Sequence, residues 1–145
     1  RLRRGRAQES YLRAGEIGEF GHMSEKILLA VVDDEPGIAR VLPQLIMGVR
    51  KDIFAVGFTR VTLAVESKWR PFTHAVIDMG IGSYGDQLFY EQLARILLGD
   101  GTKVFAMTGQ MSQEAARLNG SLGIHMIYKP ASSRKVLQEM GLVVE

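Results

Sequence analysis

The chain has 145 residues, of which 46% are hydrophobic and 23% are charged, and it contains no cysteine. This length and composition indicate one soluble globular domain, and the missing cysteines exclude disulfides and thiolate metal sites. The formal net charge of +2 comes from residues 1–23, which hold five Arg and three Glu, because basic and acidic residues balance over residues 24–145. The domain itself therefore lacks the basic excess typical of nucleic-acid binding.

Residues 1–23 show no clear apolar period, and the run Glu19 to Met23 resembles translated cloning sites. We interpret this segment as a tail derived from an expression vector and residues 24–145 as the folded domain. A basic arm that binds nucleic acid or acidic lipid is the alternative, weakened by three interspersed glutamates. No apolar run approaches the ~18 residues of a membrane span, and no secretory signal is evident, so we expect a cytoplasmic protein without membrane contact.

From Lys26 onward, short apolar runs alternate with helical patterns. The predicted strands are Ile27–Val32, Asp52–Phe58, His74–Asp78, Lys103–Met107 and Ile124–Tyr128. The predicted helices are Pro36–Val49 with a kink or weak turn at Pro43, Val61–Lys68, Asp86–Leu98, Ser112–Leu118 stopped by Asn119 and Gly120, and a last helix capped by Ser132 that runs to Met140. Alternation of this kind predicts an α/β fold with a parallel sheet and helices on both faces.

Four of the five predicted strands end in reactive side chains, namely Asp33 with Asp34, then Asp78, Thr108 and Lys129. The carboxyl ends of parallel strands meet at one edge of a sheet, which is where ligands bind in such folds. Three converging carboxylates would repel one another, and a hard divalent cation would offset that repulsion. Because all the ligands are oxygens, the pattern favours Mg²⁺. With an ammonium and a hydroxyl beside them, these residues predict a cradle for a phosphoryl group.

The ordered set V-V-D-D-E-P, V-I-D, A-M-T-G and Y-K-P resembles the receiver domain of two-component response regulators over Ser24–Glu145. The resemblance implies a flavodoxin-like, doubly wound, five-stranded parallel sheet in the order 2-1-3-4-5. It also implies that Asp78 accepts a phosphoryl group from a sensor histidine kinase or a phosphotransfer protein. Such a domain catalyses only its own phosphorylation and dephosphorylation, and it acts by switching partner or output interactions.

By this resemblance the metal ligands are Asp33, Asp34, Asp78 and the backbone carbonyl of Gly80. Asp34 would bind Mg²⁺ directly, whereas Asp33 would act largely through water.

The resemblance also assigns the remaining site residues. Lys129 would pair with Asp78 and then with the phosphate, while Thr108 would swing inward to hydrogen-bond the phosphate. A homodimer through the fourth helix, fifth strand and fifth helix is one implied output. Three features depart from the common pattern: Gly82 replaces a frequent proline, Met126 replaces a frequent aromatic switch residue, and the last helix is short.

Three other functions remain open. The G-x-G-x-x-G pattern at residues 80–85 suits a dinucleotide, but the next strand ends in Met107 and Thr108 rather than in an acid. A phosphohydrolase with an aspartyl nucleophile is a second alternative, although haloacid-dehalogenase-type hydrolases place two aspartates two residues apart and Asp33 and Asp34 are adjacent. A receiver-like protein-interaction scaffold that is not regulated by phosphorylation is the third.

Overall fold

The computed structural model describes residues 27–81, 88–110 and 112–142. Five strands lie within these residues: β1 (Ile27–Val32), β2 (Ile53–Phe58), β3 (His74–Asp78), β4 (Lys103–Thr108) and β5 (His125–Tyr128). They alternate with five helices: α1 (Pro36–Val49), α2 (Val61–Val65), α3 (Leu88–Gly99), α4 (Gln113–Leu122) and α5 (Ser133–Glu139). No helix in the described part of the chain combines the length and apolar character needed to cross a bilayer.

The strands form one parallel sheet in the order β2-β1-β3-β4-β5. The central strands are apolar on both faces, because successive side chains of a strand point to opposite sides and each side is covered by helices. In β3, Ala75 and Ile77 belong to one buried cluster and Val76 to the other. The predicted flavodoxin-like fold class is therefore confirmed.

Each face of the sheet carries its own helices. The first cluster contains buried residues of α2, α3 and α4, among them Ala64, Leu93 and Ala115. The second contains buried residues of α1 and α5, among them Ile46 and Leu137. This layering places the polar ends of the strands at the two edges between the helical layers.

Helix α1 packs unusually close to the edge strand β2. A Cβ atom on Gly57 would lie 1.6 Å from the carbonyl oxygen of Ala39 in α1, so only glycine permits this approach. The amide of Asp33 donates to the carbonyl of Phe58 at 3.0 Å, which extends the pairing of β1 with β2 by one residue. Together these contacts fix the segment that leads from β1 into α1. Helix α1 continues through Pro43, so the expected weak turn does not end it.

Helix α4 differs most from expectation. Asn119 and Gly120 do not stop it, and it runs to Leu122 with Gly123 as its left-handed cap at φ 72°. The prediction was wrong because Asn119 is 1% exposed and its side chain is satisfied by buried partners, so it does not compete with the helix backbone.

The other helix ends lie close to their predicted positions. Helix α2 ends at Val65, three residues before the predicted Lys68. The predicted start of the third helix at Asp86 lies outside the described residues. The hydroxyl of Ser132 accepts from the amide of Lys135 at 3.1 Å and so caps α5, as predicted. Helix α5 has seven residues, so the last helix is indeed short.

Candidate functional site

Three carboxylates meet at the carboxyl edge of the sheet. Val32 and Ile77 are partners in the register of β1 and β3, so the next residues, Asp33 and Asp78, lie side by side. Asp34 follows Asp33, and one oxygen atom of each of the three carboxylates lies within 4.8 Å of the other two. The topology thus brings together the acidic residues that the sequence singled out.

Lys129 joins two of these carboxylates. Its ammonium Nζ lies 3.0 Å from Oδ2 of Asp33 and 3.1 Å from Oδ1 of Asp78. The backbone amide of Lys129 donates to the carbonyl of Thr108 at 2.8 Å, which holds the end of β5 beside the end of β4. The pairing of Lys129 with Asp78 was expected, whereas its pairing with Asp33 was not.

Asp33 is almost completely enclosed, with 1% of its surface exposed, whereas Asp34 is exposed. Oδ1 of Asp33 accepts from the amide of Glu35 at 2.9 Å, and Oδ2 accepts from Lys129. Both oxygens are therefore engaged within the protein, which suits a carboxylate that reaches a cation through water. The exposed position of Asp34 suits a direct ligand.

Burial and neighbouring charges change the pKa values of Asp78 and Lys129. Burial and the neighbouring Asp33 charge raise the pKa of Asp78, and the hydrogen bond from Lys129 offsets this only in part. Burial by itself lowers the pKa of Lys129, but hydrogen bonds to Asp33 and Asp78 outweigh it, so that pKa is raised and the ammonium stays charged. Among the residues that the structure describes at this edge, Lys129 bonds to two of the three clustered carboxylates.

The turn after β3 brings backbone close to Asp78. The amide of Met79 donates to the carbonyl of Met107 at 2.9 Å, and the amide of Ile81 donates to the carbonyl of Asp78 at 3.1 Å. A Cβ atom on Gly80 would lie 3.5 Å from Oδ2 of Asp78, so this turn runs beside the second oxygen of the carboxylate. The role of the Gly80 carbonyl as a metal ligand stays a prediction.

Thr108 ends β4 at the same edge, but its hydroxyl bonds to the adjoining loop. Its Oγ1 donates to the carbonyl of Gln110 at 2.8 Å and accepts from the amide of Gln110 at 3.2 Å. Reaching a phosphate on Asp78 would require the hydroxyl to leave Gln110. The inward movement of Thr108 therefore stays a prediction.

The residues present suit a hard cation. Mg²⁺ is bound in proteins by one or two carboxylates together with water and phosphate oxygens. Asp34 is exposed beside the buried Asp33, and the pKa of Asp78 is raised first by burial and then by the charge of Asp33. A divalent cation would stabilise the ionised forms of these carboxylates.

Of the departures noted in the sequence, Gly82 lies outside the described residues, together with most of the 80–85 glycine pattern, whereas Met126 lies within them. Met126 is partly buried and packs against the cluster on the α2, α3 and α4 face. Met107 is buried in the opposite cluster. Both methionines therefore contribute to packing.

Sequence reasoning missed one buried polar pair close to the site. Tyr90 in α3 donates its hydroxyl hydrogen bond to the side-chain oxygen of Asn119 in α4. The Asn119 amide nitrogen in turn lies 3.4 Å from the sulfur of Met79, the residue after Asp78. The only signal in the sequence was an asparagine four residues after Ala115, a spacing that puts both on one helix face.

No protein-family model matches the chain, and no curated protein matches it in sequence. Solved structures do match. The BeF3-activated receiver domain of DrrB has a TM-score of 0.65 at 17% identity, over 81% of this chain and 96% of that one. A response regulator receiver protein from Burkholderia phymatum has a TM-score of 0.62 at 21% identity, over 82% and 98%. The non-phosphorylated HemR receiver domain from Leptospira biflexa has a TM-score of 0.65 at 18% identity, over 80% and 92%.

These likenesses cover the five-stranded sheet and its helices, at identities too low to transfer a function. The aspartates and the lysine on which the sequence resemblance depended lie together at the carboxyl edge of the sheet. The strand order is the one that the resemblance implied. The chain therefore has the fold of response regulator receiver domains.

Proposed function

We propose that this domain is the phosphoacceptor of a two-component system and that Asp78 takes the phosphoryl group. The observation that supports this best is the convergence of Asp33, Asp34 and Asp78 around Lys129 at the carboxyl edge of the sheet. Three carboxylates gather here, and a lysine bridges two of them, at the edge where α/β folds bind ligands. This arrangement supports a site for a cation and an anion together.

The chemistry follows from these positions. A carboxylate oxygen of Asp78 attacks the phosphorus of a phosphohistidine on a sensor kinase or phosphotransfer protein, the P–N bond breaks, and the imidazole leaves. The product is an acyl phosphate on Asp78. The side-chain charge of Lys129 lies 3.1 Å from Asp78 and stabilises the negative charge on the transferring phosphoryl oxygens.

The proposed metal is Mg²⁺, held by Asp34, Asp78 and the Gly80 carbonyl, with Asp33 acting through water. When bound, Mg²⁺ neutralises charge on the phosphoryl oxygens and on the clustered carboxylates. The part played by Asp33 itself is to hold Lys129 in place and to orient the start of α1 through the amide of Glu35.

The proposed output is a change at the end of β4. Release of the Thr108 hydroxyl from Gln110 and its capture by the phosphate would shift the loop that leads into α4. A homodimer through α4, β5 and α5 is one form that this output could take. The domain itself would catalyse only its own phosphorylation and dephosphorylation.

A groove beside Lys129 suits the phosphodonor. It has a volume of about 340 Å³ between α1 and the loop from β5 to α5, and its lining includes Val41, Leu45 and Pro130. Val41 and Leu45 are 43% and 52% exposed. An apolar partner helix docked here would bring its histidine next to the site.

A pair of substitutions tests this docking site. Leu45→Glu should slow phosphotransfer from a histidine kinase or phosphotransfer protein roughly tenfold or more, while leaving phosphorylation by acetyl phosphate unchanged. Leu63→Glu on α2 is the matched control, since Leu63 is 43% exposed on the other face. Equal slowing by both variants would remove the groove from the proposal.

Acetyl phosphate with Mg²⁺, followed by intact mass measurement, separates the candidate functions. One added phosphoryl group that persists for minutes and is absent when EDTA is present supports the switch. Rapid release of inorganic phosphate from phosphate monoesters would support the hydrolase instead. No added mass from acetyl phosphate or from a panel of histidine kinases would support the scaffold.

A further inference from the structure

A buried polar pair joins α3 to α4 on the face that carries the first hydrophobic cluster. Tyr90, near the start of α3, is completely buried, and Asn119 in α4 is 1% exposed. The tyrosine hydroxyl donates a hydrogen bond to the Asn119 side-chain oxygen. Burial raises the pKa of Tyr90, so the hydroxyl keeps its proton and remains a donor at neutral pH.

The same asparagine reaches the strand that ends in Asp78. Its Nδ2 donates to the carbonyl of Ala115 at 2.9 Å and lies 3.4 Å from Sδ of Met79. Met79 is buried, directly follows Asp78, and its amide is bonded to Met107 of β4. Asn119 is therefore anchored to α3 on one side and to the end of β3 on the other.

A polar pair at this place is costly unless both members are satisfied, and two apolar side chains would pack without that risk. A satisfied buried hydrogen bond instead fixes one geometry between two helices, because any shift of α4 leaves polar groups without partners. The start of α4 lies just beyond the loop at Thr108 and Gln110, whereas Asn119 lies in its later turns. The hydrogen-bonded Asn119 would therefore keep its part of α4 in place when that loop moves.

We propose that the Tyr90–Asn119 pair is a latch that keeps α4 against α3 when Asp78 is phosphorylated and confines the structural response to the segment from Thr108 to Gln113. This inference rests on the proposed function, because it concerns the consequence of phosphorylation at Asp78. Tyr90 and Asn119 act as positioning residues, since neither side chain takes part in the chemistry.

Three variants separate the latch from general stability. Tyr90→Phe removes the hydroxyl and leaves the Asn119 oxygen without its donor, whereas Tyr90→Phe with Asn119→Leu removes both polar partners and should restore much of the lost stability. Thr102→Val is the matched control. It deletes another buried hydrogen bond, from Thr102 to the carbonyl of Phe72 at 2.8 Å, at the opposite edge of the sheet.

Amide hydrogen exchange of the resting protein tests whether the latch holds α4. We expect Tyr90→Phe to speed exchange in residues 116–122 roughly tenfold or more relative to the Thr102→Val control at equal global stability. Exchange that rises equally throughout both variants would show an ordinary packing contact and overturn the proposal.

Amide NMR shifts on addition of Mg²⁺ and BeF3⁻ test whether the structural response is confined to residues 108–113. BeF3⁻ is a suitable probe because the similar DrrB receiver domain has a BeF3-activated form. In the wild type we expect large shifts at residues 108–113 and small ones along the rest of α4. In Tyr90→Phe and in the double variant the shifts should spread to Leu122. Shifts that already reach Leu122 in the wild type, or an unchanged pattern in both variants, would overturn the proposal.

The proposed function and the latch can fail separately. If BeF3⁻ causes no shifts near Asp78 even in the wild type, the proposed function fails and the confinement fails with it, while hydrogen exchange still decides whether α4 is latched. If BeF3⁻ binds but the response is not confined, only the latch is wrong.

Discussion

The charged residues at the two edges of the sheet are paired differently. At the amino edge, before β3 and β4, Arg70 meets a single carboxylate. Its Nε and Nη2 donate to the two oxygens of Asp100 at 2.7 and 3.1 Å, and its Nη1 donates to the carbonyl of Val65 at 3.0 Å. The hydrogen bond to Asp100 raises the pKa of Arg70, so Arg70 stays charged in an ion pair with one cation and one carboxylate. At the carboxyl edge Lys129 is shared between Asp33 and Asp78, and Asp34 lies beside them.

The difference teaches how to separate a structural ion pair from a reactive one. Both edges contain Asp and a basic residue, and both lie where loops meet the sheet. A matched bidentate pair satisfies its own charges and needs no ligand. At the carboxyl edge the lysine is shared between Asp33 and Asp78, and burial and the Asp33 charge raise the pKa of Asp78. Clustered carboxylates with a raised pKa are typical of a site built for a further group.

Lys129→Ala should give the largest contrast between the edges. Loss of this ammonium should slow phosphorylation of Asp78 by acetyl phosphate about 100-fold, since it removes the fixed positive charge beside the acceptor. Mg²⁺ binding should persist and even tighten because a competing cation is gone. Lys103→Ala, at the exposed start of β4, is the control and should leave the rate unchanged. Loss of Mg²⁺ binding in Lys129→Ala would show that the lysine is structural.

Metal affinity should follow the exposure of the carboxylates. Asp34→Asn and Asp78→Asn should each weaken Mg²⁺ binding roughly tenfold or more, whereas Asp33→Asn should have a smaller effect because Asp33 would act through water. Isothermal titration calorimetry measures all three, with Asp100→Asn as the control at the other edge. Equal losses from the three site variants would contradict this ordering.

Neutralising one carboxylate at each edge should change stability in opposite directions. In the absence of Mg²⁺, Asp78→Asn should raise the free energy of unfolding by on the order of 1 kcal/mol, because it removes a charge that is costly to bury and is repelled by Asp33. Asp100→Asn should lower it by about 1 kcal/mol, because Arg70 loses its partner. Urea denaturation measures both. A loss of stability in both variants would mean that the carboxyl edge is as well matched as the amino edge.

The gain in free energy of unfolding in Asp78→Asn should depend on pH. The pKa of Asp78 in the folded protein lies above the ordinary value of 3.8, so the folded state binds the proton more tightly and loses relative stability as the pH rises from about 3.8 through the folded pKa. The difference between variant and wild type should therefore be full at neutral pH and should vanish below pH 3.8. A constant difference across this range would assign it to another cause.

Met126→Tyr should have the smallest effect on the chemistry. The thioether of Met126 packs against the first cluster, and its flexibility allows repacking without strain. A tyrosine hydroxyl should change partner binding or dimerisation through β5, while the phosphorylation rate changes less than about twofold. Analytical ultracentrifugation with and without BeF3⁻ measures the first effect. A large change in rate would place this residue in the site itself.

Much of the fold could be predicted from local pattern alone. The apolar runs ending in Asp78 and in Thr108–Gly109 carry the strand signal and the reactive ends together, so the order of elements and the acidic edge followed from sequence. The ends of the helices were harder to predict. Asn119 has the local preferences of a helix stop, but Tyr90, 29 residues away, supplies its buried partner.

The finer geometry of the site depended on contacts that no local pattern contains. The approach of Ala39 to Gly57 is set by how α1 packs against β2. The bond from Lys129 to Asp33, 96 residues apart, depends on the sheet order, which brings the carboxyl ends of β1, β3 and β5 to one edge. The sequence resemblance already gave Asp33 a largely water-mediated role. Local pattern did not contain its burial or its hydrogen bonds to the Glu35 amide and to Lys129.

The most direct test of the central proposal is the phosphorylation of Asp78→Asn beside the wild type. Asparagine keeps the shape and an acceptor oxygen for Lys129 but removes the nucleophilic carboxylate. Each protein is incubated with Mg²⁺ and acetyl phosphate, weighed intact, and then treated with hydroxylamine, which cleaves acyl phosphates. We predict one hydroxylamine-sensitive phosphoryl group on the wild type and on Asp100→Asn, and none on Asp78→Asn. Label on Asp78→Asn at the wild-type rate would contradict the assignment of Asp78 as the phosphoacceptor.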